Sequence, residues 1–293
     1  MNVLIIGVNG MFGEECTRLL SRKHSISGCD LQEKLEYDAD VNYCSMDITD
    51  QKALLATIAN INPEIVINCA AYTDVDGSEI NRELARKVNV GGVGNILKAL
   101  SGSQTKLIHI STDYVFDGSQ GPYDEDQPTK AVNYYGRTKL EGEELIRKSE
   151  IPWAIVRTNV LFGNTTTQKA SFVRWVIDKL QRFETISVVN DQFGNPTWTY
   201  GLAEVMERII DLNATGLFHY AGKDYVSRFE FALKIAGVFG LDPMLIRKTT
   251  TRALNQKAPR PYKAGLTCKK AEKQLKVPFY SIIESLNKMK GNA

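Results

Sequence analysis

The chain has 293 residues, 43% hydrophobic and 24% charged, enough for one large or two closely joined domains with a sizeable core. Its 36 Lys+Arg against 34 Asp+Glu leave a formal charge of +2, and the basic residues are scattered. A nucleic-acid or polybasic membrane surface is therefore excluded as an expectation, and a small-molecule partner takes its place. Five cysteines (Cys16, Cys29, Cys44, Cys69, Cys268) show no CxxC or metal-type spacing and read as reduced thiols of a cytoplasmic protein. Three isolated histidines (His24, His109, His219) predict no catalytic metal. Neither a secretory leader nor a run of roughly 18 apolar residues is seen, so no membrane partner is expected.

In chain order, the apolar run VLII leads into the helical pattern GMFGEECTRLLSR. The strand SISGCD follows, then the helix QKALLATIANI and the strand EIVINCA. A long helical pattern, NRELARKVNVGGVGNILKAL, precedes the strand KLIHIS, a loop, the helix YYGRTKLEGEELIRK and the strand WAIVRT. Strands apolar enough to be buried on both faces, each separated by a helix, predict an α/β fold with a Rossmann-type, doubly wound parallel sheet. After Thr158 the pattern loosens into the helix SFVRWVIDKLQRF, the strand ISVVN, the loop DQFGNPTWT and further helices before APRPY. The expected division is an NAD(P)-binding domain over 1–158, with returning segments at about 190–215. A smaller α/β substrate domain covers 159–189 and 216–293.

The loop GVNGMFG stands between the first strand and the first helix, where backbone N–H groups and the positive helix end receive a pyrophosphate. Gly7 permits the turn, Gly10 the close approach and Gly13 the packing of helix on strand. The second strand ends at Asp30, 23 residues after Gly7, near the offset at which a carboxylate meets the adenosine ribose. An acid there repels a 2′-phosphate, so NADH is preferred over NADPH, with Lys34 able to reach.

Tyr135 and Lys139 lie four apart at the head of a helix and project from one face. A phenol is a poor acid–base at neutral pH; an ammonium one turn away lowers its pKa, and Tyr135 then donates a proton as hydride reaches a carbonyl carbon. Upstream, in HISTDYVFDG, Thr112 stands at a strand's C-terminal end, beside the ligand crevice of such a sheet, where it would hydrogen-bond the carbonyl oxygen. The plainer use of Ser-Thr-Asp is a turn or cap.

Together GVNGMFG, Asp30, HISTDYVFDG and YYGRTK resemble the extended short-chain dehydrogenase/reductases. NCAAYTDVD, STDYVFDG, IVRTNVLFG and VVNDQFGNPTWT narrow the resemblance to the dTDP-4-dehydrorhamnose reductase family, over nearly the whole chain. It implies dinucleotide contacts from Asn9, Gly10, Met11 and Phe12, from Asp30, from Asp47 and Ile48, and from Ala71, Tyr72 and Thr73. It further implies the catalytic set Thr112, Tyr135 and Lys139, with Asp113 beside the sugar and Arg260 of APRPY as a cation for a diphosphate. Asn89 in KVNVGG matches an asparagine that supports the helix and the proton path. The implied cofactor is NADH or NADPH and the substrate a nucleotide sugar; magnesium dependence and a homodimer occur in the family, with no acids here assigned to a metal. The family's RTSW or RTAW is replaced by Arg157-Thr158-Asn159-Val160, which removes a flat stacking surface against the sugar.

The implied reaction is hydride transfer to C4 of a dTDP-4-keto-6-deoxy sugar, as in dTDP-L-rhamnose biosynthesis. Two rivals stand beside it. A dehydratase or epimerase shares the fold, but related dehydratases place Asp then Glu after the threonine, whereas here Asp113 is followed by Tyr114. A non-catalytic dinucleotide-binding subunit, like the regulatory beta subunit of methionine adenosyltransferase, would not need Thr112, Tyr135 and Lys139 intact.

Overall fold

The computed structural model describes residues 1–164 and 171–291 of the chain. Its central sheet takes β1 (Asn2–Ile6), β2 (Ser25–Asp30), β3 (Asn42–Ser45), β4 (Ile65–Asn68), β5 (Lys106–Thr112) and β6 (Trp153–Thr158) from the first half. Then come β7 (Leu161–Phe162), β8 (Ile186–Val189), β9 (Phe193–Gly194), β10 (Thr197–Trp198), β11 (Gly216–His219), β12 (Val226–Ser227) and β13 (Ile246–Thr249). Of these β11 joins the central sheet, and the others pair off as β7 with β10, β9 with β12 and β8 with β13. The central order is β3-β2-β1-β4-β5-β6-β11, parallel throughout, and it reverses direction between β1 and β4. That switch point opens a crevice at the carboxyl ends of the strands.

Twelve α-helices are formed among the described residues. The first six are α1 (Met11–Leu20), α2 (Gln51–Ile61), α3 (Val75–Ile80), α4 (Arg82–Arg86), α5 (Val93–Leu100) and α6 (Tyr134–Arg147). The rest are α7 (Phe172–Gln181), α8 (Thr199–Asp211), α9 (Arg228–Phe239), α10 (Thr251–Leu254), α11 (Lys269–Leu275) and α12 (Ile282–Gly291). Alternation along β1 assigns the two faces of the sheet. Val3 and Ile5 pack with Leu19, Met206 and Leu275 under α1, α8 and α11; Leu4 and Ile6 pack with Leu54, Ile96 and Ile146 under α2, α5 and α6. Each such side chain contributes roughly 1.5–3 kcal/mol by leaving water, so the sheet is the rigid part of the molecule. A third cluster, with Val176, Ile186, Phe231 and Leu286, forms the core of the smaller region.

Local chemistry sets the helix starts. Asp50 accepts from Lys52 N and Ala53 N at the head of α2, Ser227 and Glu230 form a capping box on α9, and Asn133 accepts from Gly136 N at 2.8 Å to begin α6.

Three sequence expectations change. The pattern expected as one helix through KVNVGG is interrupted by a π-helical segment over Lys87–Gly92, where Gly92 lies against Ile48. The short edge strand β3, which is only half buried, is absent from the sequence reading. β11, expected in the smaller domain over 216–293, is instead the seventh strand of the large sheet, and α11 packs beside it. GLFH is only four residues long, and the helix before it, α8, lies in the returning segment, so the short run does not announce a strand of the large sheet. Positions 165–170 and 292–293 of the expected smaller domain lie outside the described residues.

All five cysteines are free thiols, and Cys29 and Cys44 face each other across β2 and β3 with their Sγ atoms 2.7 Å apart. No helix among the described residues is long and apolar enough to cross a membrane, and no cluster of His, Cys, Asp or Glu there is arranged to hold a metal.

Candidate active site

The glycine loop lies at one wall of the crevice. Gly7 has φ +85°, and a Cβ there would stand 2.7 Å from Ala70 N, where the loop after β4 passes. At Gly13 a Cβ would sit 2.2 Å from Gly7 O and 2.7 Å from Val8 Cα, so α1 leans directly on the turn. Gly10 caps α1, and a Cβ there would meet only Gly7 O, at 3.2 Å; beyond it the helix N-terminus is open, a cradle that fits a pyrophosphate. Met11 is half-buried, whereas the Phe12 side chain belongs to the core.

Asn9 is fully buried, and its side chain knits the loop together: Nδ2 donates to Lys34 O at 3.1 Å and Oδ1 accepts from Glu36 N at 3.0 Å. Asp30 accepts from Asn9 N at 2.9 Å and Leu31 N at 2.8 Å, which holds the carboxylate at the tip of β2. Farther along, Asp47 is exposed, while Ile48 is buried and its carbonyl accepts from Asn95. On the other wall, Ala71 and Tyr72 are half-buried and Thr73 is exposed. Asn89, in the π-helical segment, accepts from Tyr72 N at 2.8 Å and donates to Thr138 Oγ1 at 2.9 Å, joining that wall to α6.

Thr112, Tyr135 and Lys139 come together where β5 ends against α6. Thr112 Oγ1 accepts from Tyr114 N at 3.2 Å, as a cap would, and it also hydrogen-bonds the Tyr135 phenol. Burial pushes that phenol well above its ordinary pKa, the Thr112 bond acting against it. The phenol is thus held in the protonated form that an acid needs. Lys139 Nζ donates to Ile110 O at 2.8 Å and meets His109 Nε2 at 3.2 Å; burial lowers it to about 8. Its partners lie on β5, so the expected lowering of the Tyr135 pKa by Lys139 is not seen in this structure.

Asp113 is buried and accepts from Gly265 N at 3.2 Å, from Thr112 Oγ1 at 3.3 Å and from Asn159 Nδ2. Burial raises it to about 6. Beside it a small pocket is lined by Tyr114, Asn159, Val160, Gln192, Phe193 and Arg228, among others. Val160, in the position of the expected tryptophan, has φ +40°, a strained backbone for a β-branched residue. Asn159 Oδ1 is buried without a hydrogen-bond partner. Arg260, read from the sequence as a cation for a diphosphate, is tied to Asp76 at 3.0 Å and to Ala258 O at 2.9 Å. The cation facing the pocket is Arg228, which lowers the Tyr114 phenol against the larger effect of burial.

Beneath the site lies a charged cluster that sequence reasoning missed. Arg157 on β6 donates to Glu143 on α6 through Nε (2.8 Å) and Nη2 (2.6 Å), and Ser111 Oγ donates to the same carboxylate at 2.6 Å. Its signal was present as an arginine inside the apolar run WAIVRT.

A glycine turn at the switch point of a doubly wound sheet, with a tyrosine and lysine one helical turn apart beside it, defines an NAD(P)-dependent oxidoreductase of the short-chain dehydrogenase/reductase class. Comparison with known proteins narrows the class. The chain belongs to the RmlD substrate binding domain family, whose model matches residues 1–291. It is 35% identical to a probable dTDP-4,6-dihydroxy-2-methyloxan-3-one 4-ketoreductase of Streptomyces antibioticus, covering 89% of this chain and 85% of that one. It is 31% identical to methionine adenosyltransferase 2 subunit beta of Rattus norvegicus, covering 92% and 81%. Among solved structures it superposes on dTDP-4-dehydrorhamnose reductase from Bacillus anthracis in complex with NADP with a TM-score of 0.90, 30% identity and coverage of 100% and 99%.

Proposed function

We propose that this protein reduces the C4 keto group of a dTDP-4-keto-6-deoxy sugar with NADH or NADPH. The observation that carries the reading is Thr112 beside Tyr135, with Lys139 one turn along the same helix, at the mouth of a dinucleotide crevice. The reductases among the relatives support the substrate class.

The glycine turn and the N-terminus of α1 hold the pyrophosphate, Asp30 takes the adenosine ribose, Ala71 to Thr73 flank the opposite wall, and Lys139 takes the nicotinamide ribose. The bound cofactor supplies the hydride. Thr112 hydrogen-bonds the sugar's carbonyl oxygen and Tyr135 gives it a proton, so the charge that develops there is neutralised as the C–H bond forms. Asp113, Asn159 and Arg228 meet the sugar in the adjoining pocket, where the partnerless Asn159 Oδ1 receives a hydroxyl. The Asp30 carboxylate at the tip of β2 repels a 2′-phosphate, with Lys34 the cation able to reach, which favours NADH. The free thiols suit the cytoplasm.

The test is cofactor oxidation at 340 nm with dTDP-4-keto-6-deoxy-L-lyxo-hexulose. Tyr135→Phe is expected to lower kcat by about 10² to 10⁴ with little change in fold, because only the hydroxyl is removed. The likeness to methionine adenosyltransferase 2 subunit beta supports a second reading, a dinucleotide-binding subunit of another enzyme. Folded, cofactor-binding protein that turns over no keto-sugar nucleotide yet co-purifies with a partner enzyme would favour it.

A further inference from the structure

Asn68 and His109 are used by no step above, and both bear on Lys139. They face each other in register on β4 and β5, and each is 1% exposed. Asn68 Oδ1 accepts the Ala70 N–H at 3.1 Å, and the donor end of the amide, Nδ2, lies 3.1 Å from His109 Nδ1. Turning the amide over would set two donors against each other at Ala70, so its orientation is decided by the backbone. His109 Nδ1 must then accept. Burial, foremost, holds the imidazole's pKa well below its ordinary value. A neutral ring carries one N–H, and here it must be on Nε2.

Nε2 points at Lys139 Nζ, 3.2 Å away, while Ile110 O takes an N–H from the same Nζ at 2.8 Å. A neutral amine satisfies both neighbours, giving an N–H to Ile110 O and its lone pair to His109. An ammonium has no lone pair and would set N–H against N–H. Moving the ring proton to Nδ1 only transfers that conflict to Asn68. We propose that Asn68 and His109 are positioning residues that lock the imidazole as its Nε2–H tautomer and thereby bias Lys139 toward the neutral amine.

The other titratable groups acting on Lys139 are Glu143 on its own helix and Cys69 just past β4, and both favour the ammonium. Burial opposes them and brings Lys139 to about 8, and the tautomer adds to burial. A lysine kept near its titration point takes up a proton when an anion forms beside it, which a permanent cation cannot do. That consequence rests on the reductase reading; the tautomer does not.

The chain has three histidines, so long-range ¹H–¹⁵N spectra of the uniformly labelled, cofactor-free protein separate the rings, and a His109→Gln sample identifies the one in question. The expected spectrum shows His109 neutral with its proton on Nε2 at high pH, shifting as Lys139 titrates. Asn68→Asp offers Nδ1 an acceptor, and Asn68→Ala offers it nothing. Both variants free the ring to accept from the ammonium, so the midpoint rises in each, in Asn68→Ala by about one pH unit, roughly tenfold in proton affinity, the effect of one buried donor relieved of a conflict. A proton on Nδ1 in the unmodified protein overturns the proposal. So does a midpoint that moves in Asn68→Asp and stays in Asn68→Ala, since the new charge alone would then explain it. Neither readout involves turnover, so failure here is separate from failure of the reductase reading.

Discussion

Glu143→Gln removes the carboxylate to which the buried Arg157 donates twice, and it leaves that guanidinium, 1% exposed, without an anion. Breaking a buried pair from one side costs about 3–5 kcal/mol. With an unfolding entropy of about 2.1 cal/mol/K per residue, a chain of this length loses roughly 5–8 °C of Tm. The reverse change is gentler. Arg157→Met leaves Glu143 with Arg147 at 3.1 Å and Ser111 at 2.6 Å, so its charge stays compensated. The double variant Glu143→Met/Arg157→Met fills the space with apolar atoms and is expected within about 2 kcal/mol of the starting protein, since such replacements are often neutral. Scanning calorimetry on the three variants reads the order directly. A shift below 1 °C in Glu143→Gln, or a larger loss in Arg157→Met than in Glu143→Gln, would refute the view that this pair clamps α6 to the sheet.

Asp113 has its pKa raised from 3.8 to about 6 by burial, so the folded state binds a proton that the unfolded state releases between those values. Stability from this group is therefore present at pH 4 and lost as the pH rises through 6, by about 3 kcal/mol. Asp113→Asn lacks that dependence, and urea unfolding of both proteins at pH 4.5 and 7.5 should show the difference shrinking toward low pH; equal profiles would mean the carboxyl is not buried as described. At the other end of the crevice, Asp30→Ser removes the anion facing the ribose. The ratio of kcat/KM for NADH over NADPH is expected to fall about tenfold, the effect of roughly 1.4 kcal/mol of lost repulsion, and an unchanged ratio would show that selectivity is set elsewhere.

The large sheet was legible because its strands are continuous apolar runs bounded by glycines and helices, and VLII, EIVINCA and KLIHIS admit no other reading. β3 was not, because NYCS is a half-exposed edge strand whose pairing with β2 depends on tertiary position. Of the candidate site, the residues fixed by local geometry were visible: the glycine turn and the Tyr135–Lys139 spacing. Interactions that join distant segments were not. Arg260 is spaced like a free cation in APRPY, yet Asp76 on α3 takes it, and nothing within either segment announces the other. Asn159 likewise looks like a loop residue until β6 brings it against Asp113, and His109 like a core histidine until its two nitrogens are traced to Asn68 and Lys139.

A fold that had no use for Lys139 at its site would gain by discarding it. Its ammonium is desolvated, with the pKa lowered from 10.5 to about 8, so below pH 8 the charge costs the folded state about 3 kcal/mol. That penalty fades as the pH rises from 8 to 10.5, where the unfolded chain also releases its proton. Lys139→Met removes the penalty, fills a similar volume, and leaves Ile110 O without its donor, a loss of about 1–2 kcal/mol. The expected balance at pH 7 is a gain of about 1–2 kcal/mol, falling to a net loss near pH 10.5, while reduction of the keto sugar is abolished. Urea unfolding at the two pH values beside the 340 nm assay measures both. A variant that gained stability and lost turnover would identify Lys139 as a residue kept for the site, to hold the nicotinamide ribose and assist proton transfer, at the expense of the fold. If Lys139→Met were less stable at pH 7 than at pH 10.5, relative to the parent, the ammonium would be a structural asset, and the argument from burial to catalysis would fail.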